Sequence, residues 1–321
     1  MNRSDIEAAA RRFDSDYRHF IRETPLWKLP GAAFGLSCAE VWLKLEQLQV
    51  GGSFKARGML NRLLNNPIPA SGVIIASGGN AGIATAAAAR AVGVRCEVFL
   101  PVVASASKQA RLRELGADVV VGGAVYADAL EACLLRQRET GALLTHAYDQ
   151  PEVVTGAGTL AREIELSGGH GESSARGGVP DSILVSVGGG GLIAGIAAWF
   201  EQRSRVVALE PELAPTLHRA RAAGAPVDVH VSGIAADSLG AKRIGSIAWE
   251  ITQRHVRDSL LLPDDAIRSA QLWLWTEMKL AVEPAAALGL AALQTGVYKP
   301  NPGEKVCLVI CGANLDPASL A

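Results

Sequence analysis

The sequence carries almost no surplus of charge: 31 Lys and Arg stand against 32 Asp and Glu, a formal net charge of −1 over 321 residues. So close a balance leaves no basic field to attract nucleic acid, and no block of like charge reads as an interaction tail. Nor is there an apolar run near the ~18 residues that a membrane span needs. The opening "MNRSDIEAAARRF" lacks the apolar stretch of a signal peptide. Cysteine is scarce: Cys38, Cys96, Cys133, Cys307 and Cys311 are an odd number without a CxxC pair. Cys307 and Cys311 share an expected strand, "KVCLVIC", where about 3.3 Å per residue sets them ~13 Å apart, beyond a disulfide or a shared metal. A reducing, cytoplasmic setting follows. The histidines (His19, His146, His170, His218, His230, His255) are scattered with no HxxxH or HExxH, so metal-hydrolase chemistry has no support.

What is present is ordinary for a soluble globular protein, 49% hydrophobic and 20% charged, and long enough for one large domain or two modest ones. Small-molecule chemistry is the expectation. Short β-rich runs alternate with alanine-rich helical ones, the pattern of parallel βαβ units. "GVIIAS", "CEVFLP", "ADVVVGG" and "ALLTHAY" read as four strands between about 70 and 148, with three helices between them. The second half repeats the habit with strands at "SILVSV", "RVVALEP" and "KVCLVIC" and helices at "LIAGIAAWFEQR", "DDAIRSAQLWLWTEMKLA" and "EPAAALGLAALQTG". "SGGHGESSARGGVPD" (167–181) reads as a surface loop by composition. The smaller unit, 69–148, is expected inside a larger one formed by 1–68 and 149–321. Six tryptophans, Trp273 and Trp275 among them, read as core or subunit-contact residues.

In open parallel sheets ligands collect at the carboxyl ends of strands, and three such ends look chemical. "SVGGGGLIAG" places Gly188, Gly189, Gly190 and Gly191 between a strand and a helix, where backbone N–H groups and a helix N-terminus suit an anion such as phosphate. A tight turn without a ligand is the plain alternative. Gly189, Gly191 and Ala194 also satisfy G-x-G-x-x-A, with Glu210 about twenty residues on, the pattern of a dinucleotide site. "SGGNAG", Ser77 to Gly82, offers the amides of a second helix start with the Ser77 hydroxyl and the Asn80 amide, a place for a carboxylate or simply a capped turn. "CGANLD" sets Cys311 at the end of the last strand, as inert core or as a neutral donor to a ligand heteroatom.

A fourth stretch, "GGSFKARG", holds Lys55 behind Phe54 and between glycines. It reads as a solvated surface lysine or as the anchor of a phosphorylated cofactor that needs an amine, pyridoxal phosphate, bound as a Schiff base. Together the motifs resemble those of the fold-type II pyridoxal-phosphate enzymes, and most closely the serine/threonine dehydratase family. "GSFKARG" resembles its lysine motif, "SGGNAG" its substrate-carboxylate loop, "GGGGL" its phosphate loop, "CGAN" its pyridine-nitrogen motif and "VEPAAALGLAAL" a late segment, in family order from about residue 23 to 316.

The resemblance implies an α/β fold like that of the tryptophan synthase β-chain, two open, twisted, mostly parallel sheets flanked by helices, in a homodimer. It implies that Lys55 anchors the cofactor covalently and then transfers protons, and that Phe54 packs on the cofactor ring. Asn80 meets the 3′ oxygen, Gly188 to Gly191 and Leu192 hold the phosphate, and Cys311 faces the ring nitrogen. Ser77, Gly79, Asn80 and Ala81 receive the substrate carboxylate. A lysine pKa near ~10.4 in water is pulled down by desolvation beside Phe54, while the phosphate acts in the other direction. A neutral thiol at the ring nitrogen makes a weak electron sink, which favours β-elimination over racemisation or transamination.

Racemases of this kind generally carry a serine just after the position of Ser77; Gly78 has no proton to give, so little racemisation is implied. Liver-type serine dehydratases often have alanine there and a low-activity branch has glycine, which implies modest turnover. Some relatives bind a cation with an acid at the position of Glu210 and another six residues on, where this chain has Thr216; Glu210 stays a possible ligand, and a monovalent or divalent cation has no further support. Nothing follows residue 321, so a regulatory domain with isoleucine feedback is not expected. The activity expected is L-serine or L-threonine dehydration to a 2-oxo acid and ammonia. The rivals are a hydroxyaspartate dehydratase, a cysteine-synthase-like enzyme or a racemase of the same fold, then an NAD-dependent dehydrogenase, then a non-catalytic amino-acid-binding protein.

Overall fold

A computed structural model describes residues 1–169 and 178–320; most of the polar loop expected over 167–181 (170–177) therefore lies outside the described residues. The strands are β1 (Leu26–Pro30), β2 (Glu40–Lys44), β3 (Val73–Ala76), β4 (Cys96–Leu100), β5 (Asp118–Val121), β6 (Leu143–Leu144), β7 (Ser182–Ser186), β8 (Arg205–Pro211), β9 (Val256–Leu262) and β10 (Lys305–Val309). The helices are α1 (Arg3–Asp16), α2 (Lys55–Leu64), α3 (Asn80–Val92), α4 (Ala106–Glu114), α5 (Tyr126–Thr140), α6 (Pro151–Gly168), α7 (Gly191–Phe200), α8 (Thr216–Ala223), α9 (Ser246–His255), α10 (Asp264–Met278) and α11 (Pro284–Gln294).

They form two sheets. One has six strands in the order β1-β2-β10-β7-β8-β9, parallel except for β1, and the other has four parallel strands in the order β5-β4-β3-β6. The inner strands β3, β4 and β7 are buried along their whole length, which is why they read as unbroken apolar runs: helices cover both faces of a parallel sheet. Edge strands β1 and β9 are mixed in polarity and only partly covered.

Three apolar clusters follow the two sheets. Trp42, Trp199, Phe200 and the strands of the large sheet make the first. The second lies on one face of the small sheet, and it also takes Ala56, Met59, Leu60 and Leu63 of α2 and Phe13 of α1; the third, with Ile74, Phe99 and Cys133, lies on the other face. The helix that starts at Lys55 thus lies between the two sheets, wedged against α3 and α6. Its contact with α6 is close because glycines face each other: a Cβ at Gly156 would stand 2.4 Å from the Arg57 carbonyl oxygen. Glycines inside α6 hide it from a propensity reading, but packing requires them.

The last strand ends at Val309, so Cys311 falls two residues past the strand end on which the sequence placed it. The Ile310 amide still pairs with the Lys44 carbonyl at 3.0 Å. The chain then leaves the sheet to form a bridge between Gly312 and Ser53.

Candidate active site

Lys55 opens α2, and the residue before it is tied down. The Phe54 amide donates to the Cys311 carbonyl at 3.1 Å, and the Ala313 amide donates to the Gly52 carbonyl at 2.9 Å. The lysine and cysteine motifs are therefore one short β-like pair. The Lys55 Nζ lies 5.0 Å from the Phe54 ring centroid and donates to the Ala147 carbonyl at 2.6 Å. Burial pushes its pKa down to about 8, against opposing pulls from Cys311 and Glu283. Such an amine is partly neutral near physiological pH, as a nucleophile must be.

One residue past Ala147, Tyr148 backs the glycine loop. A Cβ at Gly189 would meet the Tyr148 ring at 2.2 Å, and one at Gly188 would come within 3.1 Å of Leu239. Gly190 has φ +87°, and a Cβ there would clash with Ala248 and Ile244. The glycines are thus demanded by protein packed behind them as much as by a ligand in front. Among the described residues, the amides of Gly188 to Leu192 have no protein acceptor. With the start of α7 immediately after, they form a cradle of free N–H groups that fits a phosphate. Leu192 itself is buried.

The second loop leads into α3. Gly79 occupies the cap position without a side-chain cap bond, and Ser77, Gly79 and Asn80 are half-buried while Ala81 is buried. Free first-turn amides and the Ser77 hydroxyl can take a carboxylate. Gly78 fills out its space through a neighbour: a Cβ there would stand 2.9 Å from Leu100 Cδ2.

Two residues carried no role in the sequence reading. Glu283, just ahead of α11, is only 4% exposed and accepts both contacts of the Asn80 amide nitrogen at 3.0 Å. Asn314 donates to the Asn80 side-chain oxygen and to the Gly51 carbonyl, each at 2.7 Å. Burial raises the Glu283 carboxyl to about 7; the Asn80 hydrogen bond opposes this. Burial, with Glu283 adding to it, holds the Cys311 thiol well above its ordinary value, so it is neutral at physiological pH.

Behind α2 is a buried ion network. Arg57 is fully buried, with Nε and a terminal nitrogen on Glu46 at 2.8 Å each and contacts to Glu163 at 2.6 and 2.8 Å. Lys44 reaches Glu163 at 2.5 Å and the Thr24 carbonyl at 2.7 Å. Burial alone would lift Glu46, but Arg57 and Lys44 outweigh it and hold the carboxyl low. The network fixes the helix that presents Lys55.

Glu210 stands apart. It is fully buried and accepts from the Leu217 and His218 amides at 2.7 and 2.8 Å and from the Ser259 hydroxyl at 3.2 Å, with the Thr216 hydroxyl oxygen 3.1 Å away. Burial raises its pKa to about 7. Both of its oxygens thus face protein donors, Oε1 the Leu217 amide and Oε2 the His218 amide and Ser259 hydroxyl, rather than a cation or a nucleotide ribose. Thr216 links it to the glycine loop by donating to the Gly188 carbonyl at 2.6 Å. No group of three or more acidic, histidine or cysteine side chains that could hold a metal occurs among the described residues.

The sequence model of the family described as pyridoxal-phosphate dependent enzyme matches residues 17–312. The L-threonine ammonia-lyase of Thermotoga maritima is 32% identical over 284 residues, 86% of this chain and 68% of its own. The phenylserine dehydratase of Ralstonia pickettii is 32% identical over 318 residues, 95% of this chain and 91% of its own. In structure, the threonine deaminase of T.th. superimposes with a TM-score of 0.88 at 32% identity, covering 98% of this chain and 99% of that one.

Proposed function

This chain belongs to the pyridoxal-phosphate-dependent enzyme family, and from that premise we propose that it is a dehydratase of small β-hydroxy amino acids, L-serine and L-threonine first. The observation that carries the reading is the setting of the desolvated Lys55 amine: it interacts with the neutral Cys311 thiol and bonds the Ala147 carbonyl, next to the Tyr148 that packs against the glycine loop with its free amides.

When bound, the cofactor supplies an aldehyde that links to amines and a conjugated ring that withdraws electrons from the substrate α-carbon. Lys55 would anchor it, and the glycine loop would hold the phosphate. Phe54 would pack against the ring. Asn80 would meet the 3′ oxygen and Cys311 the ring nitrogen. The N-terminus of α3, from Ser77 to Ala81, orients the substrate carboxylate. The Lys55 Nζ, freed by the substrate amine, would take the proton from the substrate Cα. The electron pair of that C–H bond would become the Cα–Cβ double bond as the Cβ–O bond breaks, and the β-hydroxyl would leave as water with the proton returned by the Lys55 ammonium. The enamine released then reacts with one water to give a 2-oxo acid and ammonia.

A buried, uncharged thiol at the ring nitrogen would favour loss of the β-substituent over reprotonation, and Gly78 has no side-chain proton to give to the second face. The free carboxylate that a dinucleotide reading needs at Glu210 is already taken. The homodimer and the cytoplasmic setting belong to the same reading; five unpaired, buried thiols support a reducing compartment. Separately, no helix among the described residues is long and apolar enough to cross a membrane.

Release of 2-oxo acid and ammonia from a panel of L- and D-serine, L- and D-threonine, phenylserine and hydroxyaspartate tests the reading. L-serine or L-threonine should lead. A panel led by phenylserine or hydroxyaspartate would transfer the assignment to those substrates, and no release from any of them by cofactor-loaded protein would overturn it.

A further inference from the structure

We propose that Glu283 is a positioning residue for the bound cofactor, acting through Asn80: its two carboxylate oxygens fix which face of the Asn80 amide looks into the site. The Asn80 Nδ2 lies 3.0 Å from both Glu283 oxygens, and the Asn80 Oδ1 accepts from Asn314 at 2.7 Å. A rotation of the amide by half a turn would set its oxygen against the carboxylate and its NH2 against the Asn314 NH2, so the orientation is locked from both ends. One Nδ2 hydrogen serves Glu283, and the other stays free to donate toward a ligand. Glu283 also joins the loops around the site: its backbone amide donates to the Gly312 carbonyl at 3.1 Å. A Cβ at Gly312 would come within 2.6 Å of Glu283 Oε1.

The contact needs acceptor-only oxygens. A protonated Glu283 has one O–H that faces donors, and the two-oxygen contact to Asn80 is lost. The charged and titratable groups around it are Lys55 on α2, Cys311 beyond β10 and Asp237 in the chain between α8 and α9. Burial, opposed by Asn80 and Lys55, places its titration at about 7. Cofactor affinity should therefore rise with pH through that region, below the further rise expected when Lys55 loses its proton near 8.

The test is the affinity of the apo-protein for pyridoxal phosphate, followed by protein fluorescence from pH 6 to 9, in the wild type and in Glu283→Gln. The glutamine keeps the shape but sets an NH2 against the Asn80 NH2. Loss of a charged hydrogen bond predicts about ten-fold or more weaker binding at pH 8, with the lower pH step absent and the Lys55 step retained. Asn314→Ala, which frees the other end of Asn80, should weaken binding while keeping both steps; it decides the matter if the glutamine variant does not fold. Glu283→Gln combined with Asn80→Asp exchanges donor and acceptor, so it should regain thermal stability but not cofactor affinity. Affinity within two-fold of wild type and an unchanged pH dependence in Glu283→Gln, or unchanged affinity in Asn314→Ala, would overturn the proposal. It rests on the cofactor reading above: failure of the wild type to take up pyridoxal phosphate would defeat that reading, whereas uptake indifferent to Glu283 would defeat only this one.

Discussion

Replacing Arg57 by methionine removes the side chain that joins Glu46 to Glu163 through paired hydrogen bonds. All of its N–H groups are engaged: on Glu46, on Glu163, on the Thr159 hydroxyl at 3.2 Å and on the Arg22 carbonyl at 3.3 Å. In Arg57→Met, Glu46 stays buried with Lys44 4.0 Å away as its remaining cation. Removing one partner from a buried pair typically costs about 3–5 kcal/mol, a large part of the roughly 5–15 kcal/mol that holds a protein folded. A fall in melting temperature on the order of 5–10 °C follows. The pH dependence separates this cause from lost packing. In the wild type Glu46 is held below its ordinary value, so its contribution is present above the unfolded carboxylate pKa and lost as pH falls through the lowered folded one. Without Arg57 the same carboxyl is buried with too little compensation, its pKa rises, and acid relieves the variant. Urea unfolding of the apo-protein at pH 7.5 and 5.5 should show a deficit that shrinks on acidification. A deficit under about 1 kcal/mol, or one that grows at the lower pH, would refute the reasoning.

Lys55, with its pKa lowered to about 8, releases its proton in the folded state before it does so in the unfolded chain. The unfolded state then binds more protons, so apo-protein stability should rise with pH between about 8 and the ordinary lysine value; in Lys55→Met that rise should vanish, as read by denaturation midpoints. Because both Glu210 oxygens are engaged by protein donors, chelators should leave activity and melting temperature unchanged; a loss restored by magnesium or calcium would contradict this. Gly78→Ser should add little racemisation alone, since the new Cβ meets Leu100, and more when Leu100→Ala is added, measured as D-serine formed from L-serine.

The α/β alternation and the inner strands were legible because burial on both faces leaves unbroken apolar runs such as "VIIA" and "SILVS". The mixed edge strand β9 and the glycine-bearing helix α6 were not, since neighbours rather than local preference stabilise them. At the site, Lys55, Asn80, the glycine loop and Cys311 stood at strand ends or behind glycines. Glu283 stood at the start of the expected helix "EPAAALGLAALQTG" and Asn314 inside "CGAN", and nothing local in the sequence brings either to Asn80. Arg57 sits in the quoted lysine motif, yet its partners Glu46 and Glu163 are 11 and 106 residues away. Tyr148 gave no signal at all, because its contact with Gly189 exists only in three dimensions.

Reduction of the cofactor-loaded protein with borohydride, followed by peptide mass analysis, asks the central question directly: which nitrogen holds the pyridoxal group. The peptide containing Lys55 should carry the added mass in stoichiometric amount, and Lys55→Ala should carry none. Labelling at another lysine, or none in the wild type, would contradict the account.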